Sequence, residues 1–177
     1  MEAQIRPARQ PDVAAIVAFG SAVVPTHYRP ILGPAAAQAQ LDWWGEQRMA
    51  SAVAAGRVHL AVLGDAVVGV VETGAMGGEQ VIWKLYVEPR WRGRSLGVRL
   101  LERAVAALPD GTRTVLVEHF AGNTRAGAFY EREGFGVVRT EAAESGDAQA
   151  TVVWRRLELP DRLARSELIP PAPADAC

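Results

Sequence analysis

Between residues 81 and 117 the chain passes through an apolar stretch that stops at Pro89, a basic loop, a helical pattern and a second β-branched stretch. The helical pattern is Leu96, Leu100, Leu101, Ala104, Val105 and Leu108, a wide apolar face, and Pro109-Asp110-Gly111 ends it. Two strands separated by one buried helix pair side by side and parallel through a right-handed crossover. Everything else in the chain has to be arranged around a sheet that contains this pair.

The flanking segments supply the rest of that sheet. Residues 4–8 read as a strand, and Gln10-Pro11-Asp12 offers a cap ahead of Val13, Ile16, Val17 and Gly20 at helical spacing. Pro25, Pro30, Gly33 and Pro34 predict a break, after which a second helical pattern over 35–54 turns Leu41, Trp44 and Ala52 inward. Val58, Leu60 and Val62 alternate, Gly64-Asp65 supplies a turn, and 67–71 is β-branched before a loose loop at Gly74, Gly77 and Gly78. Residues 114–117 form a strand, Asn123 opens a short helix that Gly134 closes, and Val137-Val138 and 151–157 are the last strands. The pattern predicts about seven strands and four helices, a mixed α/β (α+β) class with one central sheet. No internal repeat or boundary divides the chain, so 1–159 is expected to be one domain and 160–177 a peripheral proline-rich tail.

Composition excludes several classes. Nineteen basic and twenty acidic residues leave a formal charge of -1, so no global field gathers nucleic acid or anionic membrane. The single cysteine, Cys177, with three scattered histidines excludes a disulfide framework and a cysteine-based zinc site, and no metal is implied. Met1 leads into polar residues with no secretory apolar segment, and no apolar run reaches the roughly 18 residues of a membrane helix. The expectation is a soluble cytoplasmic protein whose partners are small molecules; the oligomeric state stays open, a homodimer included.

The loop Arg90-Trp91-Arg92-Gly93-Arg94-Ser95-Leu96-Gly97 joins a strand end to a helix N-terminus, where unsatisfied N–H groups and the positive end of the dipole collect. Glycines let a ligand reach the backbone there, and arginines surround it with charge, a pattern suited to phosphate. The same residues also suit a solvated basic turn with glycines placed for packing. Neither a Walker loop nor a GxGxxG dinucleotide fingerprint is present.

Three segments in order, Leu85-Tyr86-Val87-Glu88-Pro89, Arg92-Gly93-Arg94-Ser95-Leu96-Gly97 and Asn123-Thr124-Arg125-Ala126-Gly127-Ala128-Phe129-Tyr130-Glu131-Arg132-Glu133-Gly134-Phe135, resemble the GNAT superfamily of acyl-CoA-dependent N-acetyltransferases. The resemblance implies a mixed, mostly antiparallel sheet whose parallel strand pair splays to form the coenzyme cleft. It implies acetyl-CoA as cosubstrate, with Leu85, Tyr86 and Val87 offering backbone groups to the pantetheine. Arg92, Gly93, Arg94, Ser95, Leu96, Gly97 and Val98 would surround the diphosphate, and Asn123 would reach the cofactor beyond it, or serve simply as a helix cap. Ser95 departs from the family pattern, Arg or Gln, two residues, Gly, one residue, then Gly or Ala, by standing at the first of those small positions; it would either crowd the diphosphate or donate its hydroxyl to it.

Acetyl transfer from a thioester to an amine needs a neutral nucleophile and a proton for the departing sulfur. The resemblance places Tyr130 as that acid; a thiol titrates at about 8.5 and a tyrosine at about 10, so the tyrosine carries its proton at neutral pH. An amine with a pKa of about 10 is neutral in roughly one molecule per thousand at pH 7, so a base is needed. Glu118, five residues before Asn123, is the candidate, against an exposed strand-end carboxylate; Glu72, Glu88 and His119 are the alternatives.

The acceptor wall would come from 13–41 and from the hairpin around 141–150. No Asp or Glu lies in 13–41, which argues against a polycationic acceptor and for a small amine or amino-acid-like molecule. Arg29 is the candidate partner of an acceptor carboxylate, with Tyr28, Trp43 and Trp44 as an apolar wall; the alternative makes the aromatics core and Arg29 solvated. A protein or peptide N-terminal acetyltransferase, a different acyl donor, and a non-catalytic acyl-CoA-binding or regulatory module remain the other readings.

Overall fold

The computed structural model describes residues 2–160; the expected tail falls, from residue 161 on, outside the described residues. Seven strands form one sheet: β1 (Gln4–Pro7), β2 (Val58–Leu63), β3 (Ala66–Met76), β4 (Glu79–Val87), β5 (Thr114–Phe120), β6 (Gly136–Glu141) and β7 (Val152–Glu158), in the order β1-β2-β3-β4-β5-β7-β6. Four helices pack on it: α1 (Val13–Asp42), α2 (Glu46–Ala54), α3 (Leu96–Ala106) and α4 (Thr124–Arg132). All neighbouring strands are antiparallel except β4 and β5, which are parallel and joined through α3. No described helix is long and apolar enough to cross a membrane.

Strand alternation divides the core between the two faces of the sheet. Leu60 and Val70 point with Ile16, Val24, Trp44 and Met49 into the layer under α1 and α2. Ala61 and Val71 point the other way, with Ile82, Leu100, Val117, Tyr130 and Phe135, under α3 and α4. On the first face Trp44 lies flat on Gly20: a Cβ on that glycine would sit 2.4 Å from the indole, so only a residue without a side chain lets α1 approach.

Three local expectations need correction. Pro25 and Pro30 do not break α1; the helix runs through them and is interrupted at Gly33, whose φ of 80° no β-branched or bulky residue would adopt readily. The burial of Val23, Val24 and Tyr28 on this stretch provides the packing that offsets the missing proline donors. Nor is there a loose loop after 71: β3 continues through Gly74 to Met76, and Gly77-Gly78 form a two-residue turn that sets Met76 opposite Glu79. Strand β5 likewise extends three residues past the expected 117, so Glu118 lies within the strand.

Candidate active site

The parallel ladder between β4 and β5 is short. Gln80, Val81 and Ile82 pair with Val115, Leu116 and Val117, and pairing then stops although both strands continue, to Val87 and Phe120. On its other edge β4 stays paired, Leu85 to Val71, Tyr86 to Val70 and Val87 to Gly69. The backbone of residues 83–87 therefore presents unpaired polar groups to a gap, and a buried gap of this kind needs a hydrogen-bonding occupant. A cavity of about 540 Å³ fills the fork, large enough for an extended small-molecule chain.

Leu85, Tyr86, Val87, Arg92, Gly93, Ser95, Leu96, Gly97, Val98, Glu118, Asn123, Tyr130 and Tyr28 all line this cavity. Arg94 and Arg29 do not. Arg94 is exposed, with its guanidinium 4.8 Å from the Trp91 ring, and Arg29 faces outward on α1. Trp44 is core and Trp43 is half-exposed beneath Arg48, so of the three aromatics Tyr28 alone forms the wall.

The loop before α3 is open at its tip. Gly93 has φ 71° and nothing within 4 Å of where a Cβ would stand. The first backbone bond of α3 is Arg99 N–H to the Ser95 carbonyl at 3.0 Å, which leaves the N–H groups of Leu96, Gly97 and Val98 without intrahelical partners. Ser95 precedes them with φ 58°, the one described non-glycine residue in the left-handed region, and its side chain makes no capping bond. Two left-handed positions in three residues turn successive N–H groups toward one side, a geometry that binds anions. Gly97 differs from the expectation of bare backbone: its position also brings α3 against Phe129, whose ring would be 3.3 Å from a Cβ. Arg92 donates its Nε proton to the Val87 carbonyl at 3.0 Å, which ties the loop to the strand end and occupies one of the backbone acceptors expected to be free.

Two titratable groups of different exposure line the fork. Glu118 remains exposed on β5 while lining the cavity, as the alternative of an exposed strand carboxylate has it, and partial desolvation, then Glu141, push its carboxyl up from the ordinary carboxylate range while Arg139 opposes them. Tyr130 is enclosed by the rings of Phe129, Phe135 and His119, and burial holds its phenol well above the usual tyrosine value. Among the described residues its hydroxyl has no hydrogen-bond partner, which leaves it available to the cavity. His119 also lines the cavity but is fully engaged: Nε2 accepts from Arg155 Nε at 3.1 Å, so Nδ1 carries the proton and donates it to the Phe120 carbonyl at 2.9 Å. A ring with both nitrogens committed, and a pKa lowered by burial, is a poor base. Glu72 is paired with Lys84 and Glu88 with Arg90, and neither lines the cavity.

Asn123 performs its capping role, accepting the Ala126 N–H at 3.2 Å at the start of α4. It lines the cavity beside His27 and Tyr28, and the Tyr28 hydroxyl meets the Tyr86 hydroxyl at 3.0 Å. His27 and Arg125 line the cavity as well and were not singled out as site residues. Arg125 lies inside the motif that begins at Asn123, two residues on in the first turn of α4, so the signal was present in the sequence.

Residues 54–137 match the family model of the acetyltransferase (GNAT) domain. The match places the likeness to GNAT acetyltransferases in this segment of the chain. Its fold recurs in solved structures at low identity: PaiA N-acetyltransferase from Thermoplasma acidophilum in complex with coenzyme A superposes with a TM-score of 0.75 at 15% identity, over 89% of this chain and all of that one. A GCN5-related N-acetyltransferase from Rhodopseudomonas palustris gives 0.71 at 19% identity, over 90% and 97% of the two chains. Naa50 of Arabidopsis thaliana, in complex with a bisubstrate analogue CoA-Ac-MVNAL, gives 0.67 at 17% over 90% of this chain and all of that one. No curated protein matches the sequence. The GNAT segment contains the diverging strands, the Gly93 loop, Glu118 and Tyr130, the features that build the cavity.

Proposed function

We propose that the protein transfers an acetyl group from acetyl-CoA to the amino group of a small, amino-acid-like acceptor, by direct attack in a ternary complex. The observation that carries this reading is the arrest of β4–β5 pairing after Ile82 and Val117, which leaves one cavity lined by the open start of α3, by Glu118 and by Tyr130. The N–H groups of Leu96, Gly97 and Val98 with Arg92 hold the diphosphate, and the free backbone edge of Leu85 and Tyr86 aligns the pantetheine. Acetyl-CoA supplies the activated carbonyl. Glu118, its carboxyl raised toward the range of a useful base, takes the proton that the acceptor ammonium must lose. Tyr130 keeps its proton across the whole working pH range and offers it to the developing charge on sulfur.

A thiol-release assay with acetyl-CoA against amines, amino acids and short peptides tests the reading. Turnover of at least one small amine class is expected; a protein that binds acetyl-CoA yet accelerates none of them would contradict it. A peptide N-terminus is the second reading, supported by the likeness to Naa50, and the peptides in the panel decide between the two.

A further inference from the structure

Beside the cavity lies a second recess of about 320 Å³, between α1, the loop after β4 and the start of α4. His27, Arg92, Asn123 and Arg125 line both spaces, so the two are adjacent and share these four residues. No Asp or Glu lines the recess, and Glu118 is the lone carboxylate lining the larger cavity. The two guanidinium groups are close enough to act on their surroundings: burial first, and then Arg92 and Arg125, hold His27 below the ordinary histidine value, so it meets an anion as a neutral hydrogen-bond donor, and Arg125 adds to the effect of burial on Arg92. Neither Arg92 nor Arg125 takes part in an ion pair among the described residues, and Arg92 commits its Nε alone, to the Val87 carbonyl.

Like charges gathered in a concave site without a counter-charge raise the local potential and favour an anion. Arg92 belongs to the diphosphate loop, which leaves His27 and Arg125 facing the recess. Glu118, His27 and Arg125 all line the larger cavity, so an acceptor whose amine lies near Glu118 has a positive wall in the same cavity, an arrangement that suits a small molecule with an amine at one end and an acid at the other.

We infer that His27 and Arg125 form a specificity subsite for the anionic group, carboxylate or phosphate, of a small amine acceptor. The inference rests on the acetyl-transfer reading above and moves the acid-binding role from Arg29, which faces away, to Arg125.

Matched acceptor pairs test it: β-alanine against ethylamine for carboxylate, and O-phosphoethanolamine against ethanolamine for phosphate, in steady-state assays with the full-length protein. In the wild type kcat/KM for the anionic member of at least one pair exceeds that of its neutral partner roughly tenfold or more, the size of a charge-assisted contact, and the pair that shows it identifies the acid. Arg125→Ala raises the KM of that acceptor and removes the preference with the KM for acetyl-CoA unchanged, while Arg125→Lys restores part of it. Arg125 is exposed on the first turn of α4, where alanine is well tolerated, so folding is preserved. Equal turnover of charged and neutral partners, or a rise in the acetyl-CoA KM on Arg125→Ala, would overturn the subsite while leaving acetyl transfer intact. Absence of acetyl-CoA binding in calorimetry would overturn both.

Discussion

The hydroxyl of Tyr28 on α1 lies 3.0 Å from the hydroxyl of Tyr86 on β4, and both rings face the cavity between the diverging strands. The contact joins the wall expected to receive an acceptor to the strand expected to align the cofactor. Tyr28→Phe leaves the Tyr86 hydroxyl short of a partner in a buried setting and is expected to cost about 1–2 kcal/mol. Urea denaturation of Tyr28→Phe, Tyr86→Phe and the double variant measures this. The double loss should be smaller than the sum, and strictly additive losses would show that the two hydroxyls do not interact.

Glu118 governs the acid side of the rate profile. Its carboxyl is raised by burial first and by Glu141 second, so kcat/KM should climb with pH through an inflection above the ordinary carboxylate value as Glu118 loses its proton. Glu118→Gln removes that limb and lowers the rate by roughly 10²–10⁴-fold. Glu141→Gln removes a repelling charge and moves the inflection to lower pH. A limb unchanged in Glu118→Gln would place the base elsewhere.

Ser95 pays the strain of a left-handed backbone that glycine adopts freely. For an L-residue that conformation costs about 1–2 kcal/mol, and the added freedom of glycine in the unfolded chain returns roughly 0.5–1 kcal/mol of it. Ser95→Gly should therefore raise Tm by up to about 4 °C while acetyl-CoA binding is retained. Weaker binding in this variant, measured by calorimetry, would show instead that the Ser95 hydroxyl contacts the ligand.

His27, His59 and His119 all have folded-state pKa values below the ordinary one, in each case chiefly through burial, and His59 Nδ1 is buried without a partner. Below about 6.5 the unfolded chain binds more protons than the folded one, so their contribution is complete above that pH and is lost as pH falls through the depressed values. The urea midpoint is expected to drop between pH 7.5 and 5.5, and His59→Gln should flatten part of that slope. A midpoint that held steady or rose on acidification would contradict the assignment.

Lys84, the sole lysine of the chain, is buried against Glu72 at 2.5 Å, with the Trp44 ring 5.5 Å from its Nζ. Lys84→Met strands a carboxylate in the α1–α2 layer and should cost roughly 3–5 kcal/mol. Adding Glu72→Leu should recover most of it in thermal denaturation, because an apolar pair of similar size needs no desolvation compensation; no recovery would mean that the ion pair itself stabilises the layer.

The parallel unit was legible because every local signal agreed: an apolar run at 81–87, the strand pattern at 114–117, the Leu96 to Leu108 face, and Gly134 at the left-handed position after α4, where its φ is 89°. The α1 wall was not. Pro25 and Pro30 carry a strong local breaking preference, and tertiary burial of Val24 and Tyr28 overrides it, a cooperation that no local window contains. With the helix thought broken, the phase relating Tyr28 to Arg29 was undefined, and so the inward residues became Tyr28 and His27 while Arg29 turned out. The loss of pairing after Ile82 had no signature of its own in β4, because Trp83 to Val87 keep full strand character through their other edge.

Calorimetric titration of acetyl-CoA into the full-length protein and into Arg92→Ala tests the central claim most directly, since diphosphate capture at the start of α3 precedes every later step. Saturable 1:1 binding to the wild type, weakened roughly tenfold or more by Arg92→Ala, is the expected result. No saturable binding to the wild type at millimolar acetyl-CoA would contradict it.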